Sequence, residues 1–208
     1  MKILLTGFEP FGGEKINPSK KIVESLDAIL KVLSPAKVEI KTLILPVVYE
    51  ECFLPVQNEL EKTQYDFVVH LGQAGNRTHV SLEKFAHNWS ETNFADEKGT
   101  LKKGEEILKG AAASYSCSLN LPALRDQICA KEIPAQISLS PGAFICNHVY
   151  FKTLHRLNGT DQEGRGLFIH IPYMPSQVVA KAGVPSMSYQ LIFDAVTEAL
   201  QFIVNAGR

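Results

Sequence analysis

The sequence predicts an α/β fold: a single domain over residues 1–208, built as a three-layer α/β/α sandwich around a mostly parallel sheet. Two observations carry that expectation. Short β-branched and apolar runs alternate with stretches of helical period, and 208 residues that are 45% hydrophobic suit one core. Strands are expected over 2–8, 38–45 and 67–71, and later over 136–139 and 167–171. Helices are expected over 18–30, 49–62, 121–131, 143–157 and 189–204. In the last of these, Leu191, Phe193, Ala195, Leu200 and Ile203 fall close to one helical face. The segment 91–116 has little periodicity and reads as a long irregular excursion, which in a compact domain is usually functional or mobile.

Charge and composition narrow the function. Lysine and arginine number 21 against 22 acidic residues, a net charge of −1, and the charges are mixed without a basic stripe. That argues against a nucleic-acid partner. No apolar run approaches the ~20 residues of a membrane span. The opening Met1-Lys2-Ile3-Leu4-Leu5 is too short for a signal-peptide core and runs into a glycine-rich loop, so a cytoplasmic protein is expected. Cys52, Cys117, Cys129 and Cys146 are scattered, as reduced thiols would be. Neither His-Glu-x-x-His nor Cys-x-x-Cys occurs, so no metal and no cofactor is expected.

Cys146 is the strongest candidate nucleophile. It follows Ser140-Pro141-Gly142-Ala143-Phe144-Ile145, in which Ser140 reads as an N-cap and Pro141 as the first helical residue. A thiol near a helix N-terminus feels the positive end of the backbone dipoles, which favours thiolate. An unselected cysteine is more often a small buried hydrophobe, and the helix alone does not overturn that. A base is also needed. His148 and His155 are rotated roughly 200° and 180° from Cys146 on the expected helix. His170 closes Gly166-Leu167-Phe168-Ile169-His170-Ile171-Pro172, a buried strand by its glycine and proline bounds. Ligands of open α/β sheets bind beyond the carboxyl ends of strands, where His170 would lie. A core-edge histidine bonded to backbone fits the same pattern. Glu83 is the carboxylate candidate to orient that imidazole, on one side of an extended stretch with Ser81 and Phe85, although it could equally be half-exposed and paired with a lysine.

Gly7-Phe8-Glu9-Pro10-Phe11-Gly12-Gly13 matches neither the dinucleotide nor the P-loop spacing, and its rings and proline would obstruct the close backbone approach that phosphates need. They suit a flat, uncharged ring better.

Taken as a whole, the chain resembles the pyroglutamyl peptidase type I (pyrrolidone-carboxylate peptidase) family. The matching pieces are 6–13 with Asn17-Pro18-Ser19, Leu45-Pro46-Val47, His70 to Gly75 leading through Arg77 to Glu83, Gly142 to His148, Phe168 to Tyr173 and Pro185 to Ser188. The resemblance implies a cysteine exopeptidase that removes N-terminal pyroglutamate through a thioester acyl-enzyme, with Cys146 as nucleophile, His170 as base and acid, and Glu83 orienting the imidazole. It further implies that Phe8 and Phe11 flank the pyroglutamyl ring, that Phe144 and Ile145 close the pocket, and that Asn17 and Gln73 bond the lactam or its neighbouring carbonyl. Asn17 is also a good N-cap ahead of Pro18. Backbone N–H groups near Cys146 are the expected oxyanion donors, with Arg77 a weaker one. The resemblance implies a homo-oligomer, dimer or tetramer, acting on pyroglutamyl peptides.

The chain departs from the usual pattern at Asn93, Phe94, His87, Leu139 and Pro141. A related thiol amidase or acyl hydrolase with a reshaped pocket, or a binding protein without activity, remains open on this reading.

Overall fold

The computed structural model describes residues 1–33 and 38–207. The first half runs β1 (Lys2–Phe8), α1 (Pro18–Val23), α2 (Leu26–Leu33), β2 (Glu39–Leu45), α3 (Leu54–Lys62), β3 (Phe67–Gln73), β4 (Val80–Glu83), β5 (Phe85–His87) and β6 (Ser90–Glu91). The second half runs β7 (Lys103–Glu105), β8 (Ser114–Ser116), α4 (Leu121–Cys129), β9 (Ala135–Ser138), α5 (Ile145–Leu157), β10 (Gly166–Ile171), α6 (Pro175–Val178) and α7 (Tyr189–Ala206). The main sheet has the order β2-β1-β3-β10-β4-β9. Its pairings are parallel except between β10 and β4, where Phe168 lies opposite Glu83 and His170 opposite Ser81.

Side-chain parity divides the sheet. Ile3 and Leu5 of β1, Val69 and Leu71 of β3, Val80 and Leu82 of β4, and Leu167, Ile169 and Ile171 of β10 pack into one core with α1, α2, α4 and α7. Leu4, Val68 and Phe168 point to the opposite face and pack with α3 and α5. Because alternate residues of a strand face opposite ways, His70, His170, Ser81 and Glu83 share the α5 side with Val68 and Phe168. Both β3 and β10 are buried along their whole length, as central strands covered on two faces must be. A slip of one residue in β10 would turn Ile169 onto α5 and His170 onto α7. Each buried aliphatic side chain contributes roughly 1.5–3 kcal/mol, so the register that puts His170 on the α5 side is held by the core itself.

Several expectations shift at their edges, most of them by a residue or two. The helix expected over 18–30 is two helices, because the backbone turns at Glu24 and Ser25; the Ser25 hydroxyl bonds the Lys21 carbonyl and the Tyr189 hydroxyl. The helix expected from 49 begins at Leu54, with Pro55 in its first turn, while Tyr49 N–H donates instead to Asp96. The helix expected from 143 begins at Ile145. The irregular 91–116 segment holds β7 and β8, which pair with β6 at its edge and β5 just before it. It is fastened to the rest of the molecule: Asp96 accepts from Tyr49 N–H, Glu97 N–H donates to Val47 O, and the Glu97 carboxylate accepts from Gly12 N–H.

Candidate active site

The approach to Cys146 differs from the sequence expectation. Ser140 does not cap α5: its hydroxyl accepts from Gly142 N–H at 3.3 Å in the preceding loop. Pro141 lies outside the helix and removes no helical donor. Gly142, at φ +83°, has a left-handed backbone that no helix continues and that a side chain would strain, so the chain turns there and enters α5 through Phe144. Cys146 is therefore the second residue of α5. No side chain caps this helix, which leaves the first-turn N–H groups around the sulfur open to a negatively charged oxygen.

Helix position does not make the thiol acidic. Burial pushes Cys146 up to about 12, the Glu83 carboxylate adds to the rise, and Arg77 opposes it. At this half-buried position the raised pKa favours the neutral thiol, so for Cys146 to act as a nucleophile a base would have to take its proton.

His170 and Glu83 are joined. Nδ1 of the imidazole lies 2.7 Å from Glu83 Oε1, and both residues are buried. Since Glu83 can only accept when ionised, Nδ1 carries the proton and Nε2 presents a lone pair. Burial lowers the His170 pKa and the bond to Glu83 works against that fall. The second cation on Glu83 is Arg77, whose Nη1 donates to the same Oε1 at 2.8 Å; Oε2 has no partner among the described residues. Among the described residues no lysine pairs with Glu83, and the neighbouring Lys84 donates to the Cys117 carbonyl. Arg77 is thus committed to the carboxylate.

Gly72 sets the sulfur over the rung that carries His170. It pairs with His170 across β3 and β10, and a Cβ built on it would fall 3.1 Å from Cys146 Sγ and 2.6 Å from the Phe168 ring. Only glycine leaves room for the sulfur above this rung.

Phe8, Phe11, Asn17, Gln73, Phe144 and Ile145 line one pocket together with Cys146 and Val47. The walls are apolar, with Phe11 and Phe144 tilted at 6.3 Å between ring centroids. Asn17 lines the pocket but its amide is engaged elsewhere: Oδ1 accepts from Ser19 N–H and Ser19 Oγ, and Nδ2 donates to Glu9 O. It caps α1. Gln73 Oε1 accepts from Gln177 Nε2 at 2.7 Å.

Other singled-out residues lie elsewhere. His148 packs edge-on against Tyr49 at 5.4 Å, and burial lowers its pKa to about 3. His155 bonds the Tyr115 hydroxyl, and His87 faces the Leu139 carbonyl. Asn93 touches nothing at the pocket that accounts for its presence. Phe94 is 56% exposed and meets the Phe144 ring edge at 4.8 Å. Sequence reasoning missed Val47 as a wall, Gln177 behind Gln73, and the Arg77–Glu83 pair. Proximity of Arg77 to Glu83 in sequence was the one available signal for the last; nothing local announces a contact between residues 104 apart. Among the described residues no group of three or more His, Cys, Asp or Glu is disposed to hold a metal ion, and no helix is long and apolar enough to cross a membrane.

The comparisons with known proteins span the same residues. The family described as pyroglutamyl peptidase matches residues 1–206. A pyrrolidone-carboxylate peptidase of Fusobacterium nucleatum is 37% identical over 207 residues, covering 98% of this chain and 93% of that protein. One from Yersinia pestis is 36% identical over 204 residues, with the same coverage of 98% and 93%. Among solved structures, pyrrolidone carboxyl peptidase of Fervidobacterium islandicum AW-1 superposes with a TM-score of 0.90 at 37% identity, covering 97% of both chains. That of the hyperthermophile Pyrococcus furiosus gives 0.92 at 34% identity over 99% of both.

Proposed function

The chain belongs to the pyroglutamyl peptidase family, and on that premise we propose that Cys146, His170 and Glu83 carry out its reaction in the pocket lined by Phe8, Phe11, Val47, Gln73, Phe144 and Ile145. The activity is that of a cysteine peptidase removing N-terminal pyroglutamate from peptides. The observation that carries the residue assignment is the Nδ1–Oε1 contact of 2.7 Å, which leaves Nε2 as an unprotonated base on the rung shared with Gly72, over which Cys146 Sγ lies.

The reaction then follows from the groups in place. His170 Nε2 takes the thiol proton as Sγ bonds to the pyroglutamyl carbonyl carbon. The carbonyl oxygen becomes an oxyanion, received by the uncapped N–H groups at the start of α5. Glu83 steadies the imidazolium, and Arg77 Nη1 donates to the same Glu83 oxygen. The C–N bond breaks as the imidazolium proton passes to the departing amine, leaving a thioester. Water, deprotonated by the same imidazole, attacks the thioester carbonyl. Pyroglutamate leaves and the thiol is restored.

Selectivity has a physical basis in the lining. Pyroglutamate carries no charged α-amine, so an apolar slot with a few polar atoms accepts it. An open-chain glutamate or glutamine would bury an unmatched charge there. Asn17 contributes through the wall it forms and the loop it ties to Glu9. We read the protein as a cytoplasmic homo-oligomer, dimer or tetramer, on the family resemblance; sedimentation of the purified chain reads the oligomeric state.

Release of a chromogenic amine from a pyroglutamyl amide, with Cys146→Ala as control, tests the assignment. Cys146→Ala should abolish turnover and the burst of acyl-enzyme. Retained turnover sinks the mechanism, and comparable rates on prolyl or glutaminyl amides would favour the broader thiol amidase instead.

A further inference from the structure

We propose that Gln177 is the positioning residue that fixes which atom of Gln73 faces the pocket, and so requires a ring carbonyl on the substrate. This rests on the reading that the pocket takes the pyroglutamyl ring.

An amide side chain presents either a donor or an acceptor, and which one depends on what holds its other end. Gln177 is three residues beyond Met174, at the short helix α6, and is buried. Two backbone groups fix its orientation. Met174 N–H, which can only donate, meets Gln177 Oε1 at 3.0 Å. Ile16 O, which can only accept, meets Nε2 at 3.3 Å. The same Nε2 reaches Gln73 Oε1 at 2.7 Å and Glu14 Oε2 at 3.4 Å. A flipped Gln177 would set oxygen against oxygen at Ile16 and N–H against N–H at Met174.

The constraint passes on to Gln73. Its oxygen must face Gln177, so the atom left for the pocket is Nε2, which has no partner among the described residues. The pocket therefore offers a donor at that wall. A pyroglutamyl ring has a carbonyl to meet it. A prolyl ring, similar in outline, has only methylene there and would leave the buried N–H unmatched. Backbone at Met174 and Ile16 thus sets, through two glutamine amides, a preference expressed at the substrate.

Gln177→Glu keeps the acceptor for Met174 N–H but presents Gln73 with a carboxylate. Gln73 should then turn its NH₂ toward Glu at that position and its oxygen toward the pocket. Gln177→Met removes the donor without adding charge and frees the Gln73 amide to rotate. The measurement is kcat and KM for pyroglutamyl and prolyl arylamides in both variants and in Gln73→Leu, with thermal unfolding to establish that each is folded.

For Gln177→Glu, KM for the pyroglutamyl substrate should rise roughly tenfold or more, with kcat within about threefold. The pyroglutamyl-to-prolyl ratio of kcat/KM should fall by a similar factor. Gln177→Met should show the same trend, smaller in size. A role in folding alone would lower both substrates together and leave the ratio intact. If Gln73→Leu lowers the ratio while neither folded Gln177 variant does, the positioning role is wrong and the pocket reading stands. If Gln73→Leu leaves the ratio unchanged, the contact between Gln73 and the ring is wrong, and this inference goes with it.

Discussion

Two buried histidines, His70 and His170, stand on adjacent strands two rungs apart and face the same helical layer, yet the regions around them behave differently. His70 is held between hydroxyls, with Thr6 Oγ1 2.7 Å from Nδ1 and Thr153 Oγ1 2.9 Å from Nε2. Burial lowers its pKa to about 3. Both of its nitrogens are occupied, and it braces β1 and β3 against α5. His170 has the Glu83 carboxylate at Nδ1 and, among the described residues, no partner at Nε2. The difference teaches that burial alone gives a structural imidazole. A carboxylate on one nitrogen, with the other left unpartnered among the described residues, suits His170 to the role of base proposed for it.

The largest effect expected from breaking this contrast is at His170. His170→Ala should lower kcat by on the order of 10⁴ with little change in unfolding temperature. Steady-state rates alongside a melting curve read both quantities. Next is the anion itself. Glu83→Gln should cost roughly 10³ in kcat, because an amide can bond either imidazole tautomer and no longer steadies the charged one. It should also move the acid limb of the kcat/KM profile to lower pH, since removing a negative neighbour makes His170 harder to protonate.

At His70 the losses should fall on stability instead. His70→Leu strands the hydroxyls of Thr6 and Thr153, which costs roughly 2–4 kcal/mol in urea unfolding, while kcat per folded molecule stays within a few-fold. A folded His70→Leu enzyme slowed a thousandfold would collapse the distinction between the two sites.

A smaller effect is graded with pH. His70 and His148, both near pKa 3 when folded, titrate near 6.5 when unfolded, so the unfolded chain binds more protons between those values. Stability should therefore be full above pH ~6.5 and fall on acidification toward pH 3, by about 1.4 kcal/mol per pH unit for each imidazole. The slope between pH 6 and 4 should be shallower in His70→Leu. Smallest of all is Phe94→Ile, which trades an exposed edge contact on Phe144 for an aliphatic one; KM should move by roughly two- to fivefold.

Much of this was legible in the chain before any coordinates. β1 follows from its apolar run, β10 from an apolar run bounded by glycine and proline, and the bulk of α7 from a stripe close to one helical face. Other features depend on partners distant in sequence. The antiparallel seam between β10 and β4 is set by which strand fills the centre, and no local pattern encodes it. The start of α5 was misread because Ser140-Pro141 is a true helix-opening signal, overruled here by the left-handed turn at Gly142. Burial raises the Cys146 pKa, against the thiolate expected from the helix terminus, because desolvation depends on partners distant in sequence. Alternation did place Ser81 and Glu83 on one side, but Phe85 departs to pair with β8, which ends the run at the carboxylate.

The sheet order has a consequence for how the protein is made. β10 follows every other strand of the main sheet in the chain, yet among the described residues it alone joins the β2-β1-β3 half to the β4-β9 half. A nascent chain ending at α5 already holds Cys146 and Glu83, but its sheet is cut down the middle and its thiol has no imidazole beside it. The proposed nucleophile stays without its proposed base until β10 is made, and insertion of that one strand completes the sheet and the proposed site together.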